Sequence, residues 1–284
     1  MNQGLRNEME AVNVSRLCNA VNMSRWNWYK GQKTRKRRQV DEDMVEHLVK
    51  QERKMQPRLG GRKLYEVLKP DFRELDIFVG RDRLFEILRK KDLLVPPLPK
   101  SCRTTDSAHC LPVFYNLIKD LVVTHPNQVW VSDITYLRTE EGFVYLSTIM
   151  DLYSRKIVGY HCGDTLESVG CIEALENALS ELPQGSNPIH HSDRGCQYCC
   201  HEYVKRLKAR DMPISMTEEN HCAENAHAER LNGTLKGEYA LGMTFKNAAH
   251  AKETVEQGVY LYNNRRPHKN LKMCRPAEVH RQAA

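Results

Sequence analysis

The segment NQVWVSDITYL, residues 127–137, is rich in β-branched and aromatic side chains, which favours a strand. Residues 142–163 contain two further apolar runs on either side of a turn near 153–155, so three strands can pair antiparallel. This order, followed by alternating helices and short strands, predicts an α/β fold with a mixed five-stranded sheet and helices on its faces. The later helices are predicted at 168–182, 202–209, 217–239 and 247–264, and the later strands at 187–193 and 212–217.

The first third of the chain has the pattern of a separate helical region. From Asp41, a predicted helix N-cap, apolar residues recur at helical spacing up to a break at Gly60 and Gly61. Two shorter helices follow, around residues 64–68 and 84–88. Three short helices with a basic last one are typical of a helix-turn-helix unit, although a plain helical bundle has the same pattern. The candidate DNA contacts on the last helix are Arg81, Arg83, Arg89 and Lys90.

The basic residues are concentrated at the front of the chain. Residues 1–100 contain 23 Lys and Arg and 14 Asp and Glu, a net charge of +9, whereas the other 184 residues contain 20 and 22, a net charge of −2. This asymmetry is typical of a nucleic-acid-binding front, and a uniformly solvated basic surface explains it less well. No apolar run approaches the ~18 residues of a membrane span and no signal-peptide core is found, so we expect a cytoplasmic protein without membrane association.

Upstream of Asp41, residues 14–32 predict two short helices, in which Trp26 and Trp28 are expected to pack as core residues, with stacking on DNA as the alternative. The run KTRKRRQ, residues 33–39, has no apolar periodicity and is predicted to be a basic linker. Its candidate DNA contacts are Arg35, Lys36, Arg37 and Arg38. The predicted domains are 1–38 (helical segment and basic linker), 39–95 (helix-turn-helix), 96–125 (linker), 126–241 (α/β core) and 242–284 (C-terminal helix and basic tail).

The ten cysteines are interpreted as reduced thiols, because a chain of this length can bury a core without disulfides. The run CQYCCH, residues 196–201, has the spacing of half a zinc site, but no second pair completes four ligands. We therefore expect small buried thiols there. His190 and His191, just upstream, are interpreted as packed strand residues.

Three carboxylates are candidates for catalysis. Asp133 lies in the middle of a predicted buried strand, where an unpaired charge costs on the order of several kcal/mol. It therefore needs a partner or a metal ion. Asp193 follows a strand at the end where ligands bind in open α/β sheets, although such a residue is more often a cap or turn residue. On the next helix, Glu229 shares one face with Asn232 and Lys236 and borders an apolar stripe that packs on the sheet.

Four blocks occur in order: PNQVWVSDITYL (126–137), HSDRGCQY (191–198), ENAHAERLNGTLK (224–236) and YNNRRPHKNL (262–271). With 59 residues between Asp133 and Asp193 and 35 between Asp193 and Glu229, these blocks resemble the Asp-Asp-Glu core of retroviral integrases. They resemble more closely the second-frame product of two-frame bacterial insertion sequences, over nearly the whole chain. Many relatives have serine or threonine where this chain has Cys196, Cys199 and Cys200.

The resemblance implies a ribonuclease H-like core preceded by a helix-turn-helix region, and the activity of a DNA transposase. Such an enzyme cleaves DNA at the ends of an insertion sequence and transfers the strand by attack of the freed 3′-hydroxyl on a phosphodiester. Asp133, Asp193 and Glu229 would be the catalytic residues and would bind two Mg²⁺ ions, with Mn²⁺ as a substitute and Asp133 shared between the ions.

Further contacts and partners follow from the same resemblance. Lys236 is expected to contact terminal DNA, with a solvated helix lysine as the alternative. A basic patch after the last helix is expected to contact phosphate, and its members are Arg265, Arg266, His268 and Lys269. The chain would bind double-stranded DNA, both the terminal inverted repeats and the target DNA. It would form a dimer or larger homo-oligomer on that DNA, and it would act with an upstream-frame protein or as a fusion with it. The expected location is the bacterial cytoplasm in association with the nucleoid.

Two other functions would use parts of this pattern. A structure-selective nuclease of the ribonuclease H-like fold, without strand transfer, would keep the three carboxylates but would not need the basic helical front. A DNA-binding repressor would need that front and no carboxylate triad. Strand joining, cleavage alone and binding alone distinguish the three functions.

Overall fold

The computed structural model describes residues 14–96, 111–218 and 224–282. They form a helical unit, residues 14–96, and an α/β core. The helical unit contains α1 (Val14–Ala20), α2 (Arg25–Met55), α3 (Gly61–Glu74) and α4 (Arg81–Lys90). The core contains strands β1 (Val129–Thr139), β2 (Gly142–Asp151), β3 (Ile157–Gly163), β4 (Ile189–Ser192) and β5 (Ile214–Met216), and helices α5 (Ser168–Ser180), α6 (Cys196–Cys199), α7 (His201–Lys208), α8 (Ala226–Glu238), α9 (Ala248–Asn264) and α10 (Pro276–Gln282), with a 3₁₀ turn at Lys269–Leu271.

α2 is one continuous helix of 31 residues, and two predictions about this region are wrong. The run at 33–39 is helical, so it is not a linker, and Asp41 lies inside the helix instead of capping it. The helix begins at Arg25, where the Ser24 hydroxyl accepts a hydrogen bond from the Asn27 amide at 3.2 Å. Lys, Arg and Gln are good helix formers, so the run is helical without an apolar face. The predicted domain boundary at residues 38 and 39 therefore falls inside α2.

The second half of α2 packs with α3 and α4 around a small apolar core, which confirms the three predicted helices. Val45, Val49, Leu64 and Leu84 are fully buried in it. The first half of α2 extends beyond this core. Trp26 is 67% exposed there, so the expectation that it packs as a core residue is wrong.

The predicted mixed five-stranded sheet is confirmed, with strand order β3-β2-β1-β4-β5. β1 pairs antiparallel with β2, and β2 with β3, across a turn in which Arg155 has a left-handed φ of 63°. β4 pairs parallel with the other side of β1, and β5 pairs parallel with β4. Parallel neighbours need a crossover, and α5 supplies it before β4 and α7 before β5.

Helices cover both faces of the sheet. Val129 and Val131 of β1 pack with Leu231 of α8 and Val255 of α9, whereas Trp130 packs on the opposite face with α5 and α7. Because side chains alternate along a strand, residue 133 lies on the α8 face.

α8 and α9 share one apolar core, although the predicted boundary at 241 and 242 separates them. The short helices α6 and α10 are additions to the predicted set. The cysteines of the described residues are free thiols. None of the described helices combines the length and the apolar surface that a membrane span requires.

Candidate active site

The register between β1 and β4 sets two predicted catalytic residues side by side. Val131 pairs with His191 in the parallel register, so the same offset brings Asp133 level with Asp193, one residue past the end of β4. Neighbouring strands are about 4.8 Å apart, and paired positions of parallel strands point to the same face. The two carboxylates therefore meet on the face that α8 covers.

The loop after β4 fixes the carboxylate of Asp193. The Gly195 amide donates a hydrogen bond to Asp193 Oδ1 at 3.0 Å. A Cβ atom at position 195 would lie 3.0 Å from that oxygen and 3.2 Å from Gln197 Oε1, which is tighter than ordinary contact. Glycine therefore allows the backbone to approach the carboxylate here.

Two asparagines of α8 hold that helix against β1. Asn225 Nδ2 donates to the Ser132 carbonyl at 3.1 Å, and Asn232 Nδ2 donates to Asp133 Oδ2 at 2.9 Å. The other oxygen of Asp133 accepts a hydrogen bond from the Ile134 amide at 3.0 Å. Both oxygens of Asp133 are thus oriented, one by its own strand and one by the helix that carries Glu229.

The three predicted catalytic carboxylates share one electrostatic environment. The pKa of Asp133 is raised from its ordinary value of 3.8 to about 7, first by burial and then by the negative charge of Asp193, with a smaller contribution from Glu229. Hydrogen bonds from Asn232 and the Ile134 amide act in the opposite direction. Like charges gathered in a partly buried site favour either a proton or a cation between them.

Glu229 lies in the first turn of α8 with an exposed side chain. Within the described part of the chain, no three His, Cys, Asp or Glu side chains are gathered closely enough to hold a metal ion as they stand. Three carboxylates repel one another, and an exposed glutamate can change rotamer toward two fixed aspartates. The donors are carboxylate oxygens, which is the chemistry that Mg²⁺ prefers.

Lys236 places a cation beside this site. It lies on the Glu229 face of α8 with a half-buried side chain. Burial lowers the pKa of its ammonium group, and the negative charge of Asp133 acts in the opposite direction. The Gly242 amide donates to the Lys236 carbonyl at 3.2 Å, which ties the chain after α8 back to the helix end.

His190 and His191 are packed strand residues, as predicted. His190 Nε2 lies 2.8 Å from both Ser132 Oγ and Tyr203 Oη, which links β4 to β1 and α7. Burial lowers the pKa of His190 to about 3 and that of His191 to about 4. Both imidazoles are therefore neutral at physiological pH and serve the sheet rather than proton transfer.

The candidate DNA contacts on α2 and α4 have different surroundings. Arg83 and Lys90 both bind Glu42 of α2, and Arg81 pairs with the adjacent Asp82 at 2.8 Å. Arg89, Arg37 and Arg38 are exposed, and Arg37 pairs with the exposed Asp76 at 3.4 Å. The side chains of Arg35 and Lys36 lie outside the described residues. DNA contact by these side chains stays a prediction.

Two arginines of the predicted basic patch after α9 bind carboxylates of the protein. Arg265 donates two hydrogen bonds to Glu52 of α2, at 2.9 and 2.6 Å. Arg266 is 6% exposed and donates to Glu238 of α8 at 2.8 and 3.2 Å. Burial, and then the charge of Arg266, lowers the pKa of His268 to about 4, so it is uncharged near neutral pH. The guanidinium groups of Arg265 and Arg266 are thus bound to carboxylates of the protein, and phosphate contact by these three residues stays a prediction.

Sequence reasoning assigned no role to Asn232, Glu52 or Glu238. For Asn232 a signal was present, since it lies three residues after Glu229 on the same helix face. Glu52 pairs with a residue 213 positions away, so no local pattern points to it.

Comparisons with known proteins agree with this geometry. The sequence matches the family described as the integrase core domain over residues 123–222, and a second family of the same description over residues 210–276. These residues include Asp133, Asp193 and Glu229. Together with the sheet order, the matches define an enzyme with a ribonuclease H-like integrase core, preceded here by a helical unit.

Two relatives narrow the class of protein further. The chain is 34% identical over 266 residues to the insertion element IS600 uncharacterized 31 kDa protein of Shigella sonnei, which covers 92% of this chain and 96% of the relative. It is 29% identical over 247 residues to the transposase InsF for insertion sequence IS3A of Escherichia coli (strain K12), which covers 85% of this chain and 84% of the relative. The chain belongs to the IS3-type family of insertion-sequence transposases.

Among solved structures, the chain is similar to the HTLV-2 integrase catalytic core domain in complex with magnesium. That match has 18% identity and a TM-score of 0.44, and covers 55% of this chain and 97% of the other. A second match, at 16% identity and a TM-score of 0.48, is to the simian T-cell lymphotropic virus intasome in complex with PP2A regulatory subunit B56 gamma, and covers 71% of this chain and 67% of that one.

Proposed function

We propose that this transposase cleaves DNA at the ends of an insertion sequence and transfers the strand by attack of the freed 3′-hydroxyl on a phosphodiester. Asp133, Asp193 and Glu229 are the catalytic residues in this proposal. The observation that carries it is their shared charge environment, in which Asp193 and Glu229 both raise the pKa of Asp133.

The three carboxylates would hold divalent metal, with two Mg²⁺ ions expected and Mn²⁺ as a substitute. Their oxygen donors fit this chemistry, and a cation would relieve the repulsion that raises the pKa of Asp133. When bound, such ions stabilise charge on the attacking and leaving oxygens of a phosphoryl displacement.

The surrounding residues have positioning roles in this proposal. Asn232 and Gly195 orient the carboxylates of Asp133 and Asp193 through hydrogen bonds of 2.9 and 3.0 Å. Lys236 holds a positive charge beside Asp133, where it can bind the phosphate next to the scissile bond and favour negative charge as it develops.

The first half of α2 supplies a second DNA surface in this proposal. Residues 25–40 contain seven Lys and Arg and no Asp or Glu. Trp26 and Tyr29 are 67% and 54% exposed beside them. A protruding helix with this charge fits the major groove of a duplex, where its cations replace counterions on the phosphates.

Charge neutralisation on the full chain tests the α2 surface. We expect the combined replacement of Lys30, Lys33, Arg37 and Arg38 by Gln to flatten the slope of log K against log salt by about 0.9 for each phosphate that these cations neutralise. The matched control replaces four exposed cations of the α7 region, Lys205, Arg206, Lys208 and Arg210, by Gln. An equal change of slope in both variants would refute a DNA surface on α2.

Terminal inverted repeats and target DNA are the proposed substrates. We further propose that the active form is a dimer or larger homo-oligomer on DNA, and that an upstream-frame protein assists or is fused to the chain. Light scattering with and without a duplex of the element end measures the first of these, and addition of the upstream-frame protein to the reaction measures the second.

A strand-transfer assay with labelled element ends tests the function. We expect strand joining with the native chain, and loss of both cleavage and joining with duplex binding kept in Asp133→Asn, Asp193→Asn and Glu229→Gln. Cleavage without joining would instead indicate a nuclease, and binding alone a repressor. Retained cleavage in one variant would remove that residue from the catalytic set.

A further inference from the structure

Seven polar residues join the helical unit to the core at the C-terminal ends of α8 and α9. We call this contact the junction. Its members are Glu52, Gln56 and Lys63 of the helical unit, and Glu238, Tyr239, Arg265 and Arg266 of the core.

The first group of the junction is built around Glu52, whose side chain is 2% exposed. Arg265 binds both of its carboxylate oxygens, at 2.9 and 2.6 Å. Gln56 Nε2 donates to Glu52 Oε1 at 2.7 Å, and Gln56 Oε1 accepts a hydrogen bond from Tyr239 Oη at 3.1 Å. A buried carboxylate of α2 is thus satisfied by a cation from the end of α9 and linked to the residue that follows α8.

The second group is built around Glu238, the last residue of α8. Its carboxylate binds Arg266 and Lys63 of α3 together. Burial alone would raise the pKa of Glu238, but the hydrogen bond and charge of Arg266 and those of Lys63 lower it. Arg266 also lies over the ring of Tyr262, with its guanidinium carbon 5.3 Å from the ring centroid. One partly buried anion therefore connects three chain segments.

The junction and the candidate active site lie on the same helix. Glu238 follows Glu229 by nine residues, which is about 14 Å along a helix axis at ~1.5 Å per residue. An open groove of about 640 Å³ runs along this helix from Glu229, with Gly233 on one side and Arg58 and Pro96 of the helical unit on the other. Glu238 of the junction also lines this groove, so the groove extends from the junction to Glu229 between α8 and the helical unit.

We propose that the junction holds the helical unit in a fixed position relative to Glu229, and that Arg265 and Arg266 are positioning residues that act through Glu52 and Glu238 rather than on DNA. This inference rests on the proposed function. The two ion-pair groups keep the distance between the helical unit and the active site constant, and that distance determines which phosphodiester is cleaved.

The proposal predicts a separation of kcat from KM. Misplacement by about 1 Å can cost about 100-fold in rate, so we expect Arg265→Gln to lower kcat for cleavage by about 10- to 100-fold. We expect KM for duplex DNA to change less than about twofold, because the cations of α2 and α4 are untouched. Cleavage should also spread to neighbouring phosphodiesters, which loss of folded enzyme alone would not cause.

A double-mutant cycle on the full chain tests the mechanism. Arg265→Gln leaves the buried carboxylate of Glu52 without its cationic partner, whereas Glu52→Gln/Arg265→Gln restores a neutral pair. We expect Glu52→Gln alone to spread the cleavage positions in the same way, and the double variant to cleave more accurately than Arg265→Gln alone. Arg265→Lys should recover part of the accuracy, since it keeps the charge but not the two-point contact. Arg206→Gln, at an exposed ion pair with Glu176 away from the junction, is the control and should cleave like the native chain.

Three outcomes would overturn the inference. If Arg265→Gln raises KM and flattens the salt dependence of binding while Glu52→Gln does neither, Arg265 is a DNA ligand. If the double variant is no better than Arg265→Gln, the arginine does not act through Glu52. If cleavage becomes slower at an unchanged position in all variants, the junction supports stability only. Absence of any cleavage by the native chain would instead refute the proposed function.

Discussion

Replacement of Asp133 by Asn should make the metal-free protein more stable while abolishing its activity. Asp133 is the carboxylate on which burial and two neighbouring negative charges converge, and its pKa is raised from 3.8 to about 7. In the unfolded chain the same group ionises near its ordinary value. The folded state therefore loses stability as the pH rises from about 4 through about 7, and the uncharged amide of the Asp133→Asn variant avoids that loss.

The magnitude follows from the pKa difference. Each pKa unit corresponds to about 1.4 kcal/mol, so the penalty at pH 8 is on the order of 4 kcal/mol. The side chain is partly exposed, and solvent screening reduces the expected gain to about 2 to 4 kcal/mol. The new side-chain amide at position 133 can be accommodated, because the buried Oδ1 of Asn232 has no hydrogen-bond partner. A flip of the Asn232 amide would bring this Oδ1 to the amide nitrogen at position 133, which would donate to it.

Urea unfolding in EDTA at pH 4 and pH 8 measures the difference. We expect the variant and the native chain to be equally stable at pH 4, and the variant to be more stable at pH 8. Mg²⁺ should narrow the gap at pH 8 by stabilising the native chain alone. Asp120→Asn, at an exposed position of the same core, is the control and should change stability by less than about 0.5 kcal/mol. Equal stability at pH 8, or a gap that does not depend on pH, would refute the reasoning.

Three further predictions concern packing, buried histidine and the active-site cation. Gly159→Ala should destabilise the protein by about 3 kcal/mol or more, since its Cβ would lie 2.2 Å from the Ala174 carbonyl oxygen. Gly233→Ala, in open space, should not destabilise the protein. Equal melting temperatures of the two variants would contradict this expectation. Because the pKa of His190 is lowered to about 3, the free energy of unfolding should fall by up to about 1.4 kcal/mol per pH unit as the pH decreases below 6.5. The free energy of unfolding of His190→Gln should depend less steeply on pH. Parallel plots of this free energy against pH for the variant and the native chain would exclude this role. Lys236→Ala should slow strand transfer and weaken discrimination of the correct end while leaving the Mg²⁺ midpoint unchanged, and a shifted midpoint would assign Lys236 to the metal site.

Several helices and strands of this protein are predictable from local sequence pattern. The β-branched run around Asp133, the periodic helices at 44–55 and 64–68 and the strand before Asp193 were each readable from neighbours in the chain. The three carboxylates were also identifiable, because a charge in a strand or beside an apolar helix stripe conflicts with its local surroundings. The family matches follow the same ordered blocks.

Contacts between distant segments are visible in the folded chain and not in the sequence. The offset that sets Asp133 level with Asp193 is a property of two strands 60 residues apart, and the hydrogen bond from Asn232 to Asp133 depends on how α8 lies on the sheet. The sequence also predicted a linker where α2 is continuous, because helix propensity without an apolar face gives no periodic signal. For Arg265 and Arg266 the sequence shows the sign of the charge, whereas the carboxylates that they bind, Glu52 and Glu238, are chosen by the fold.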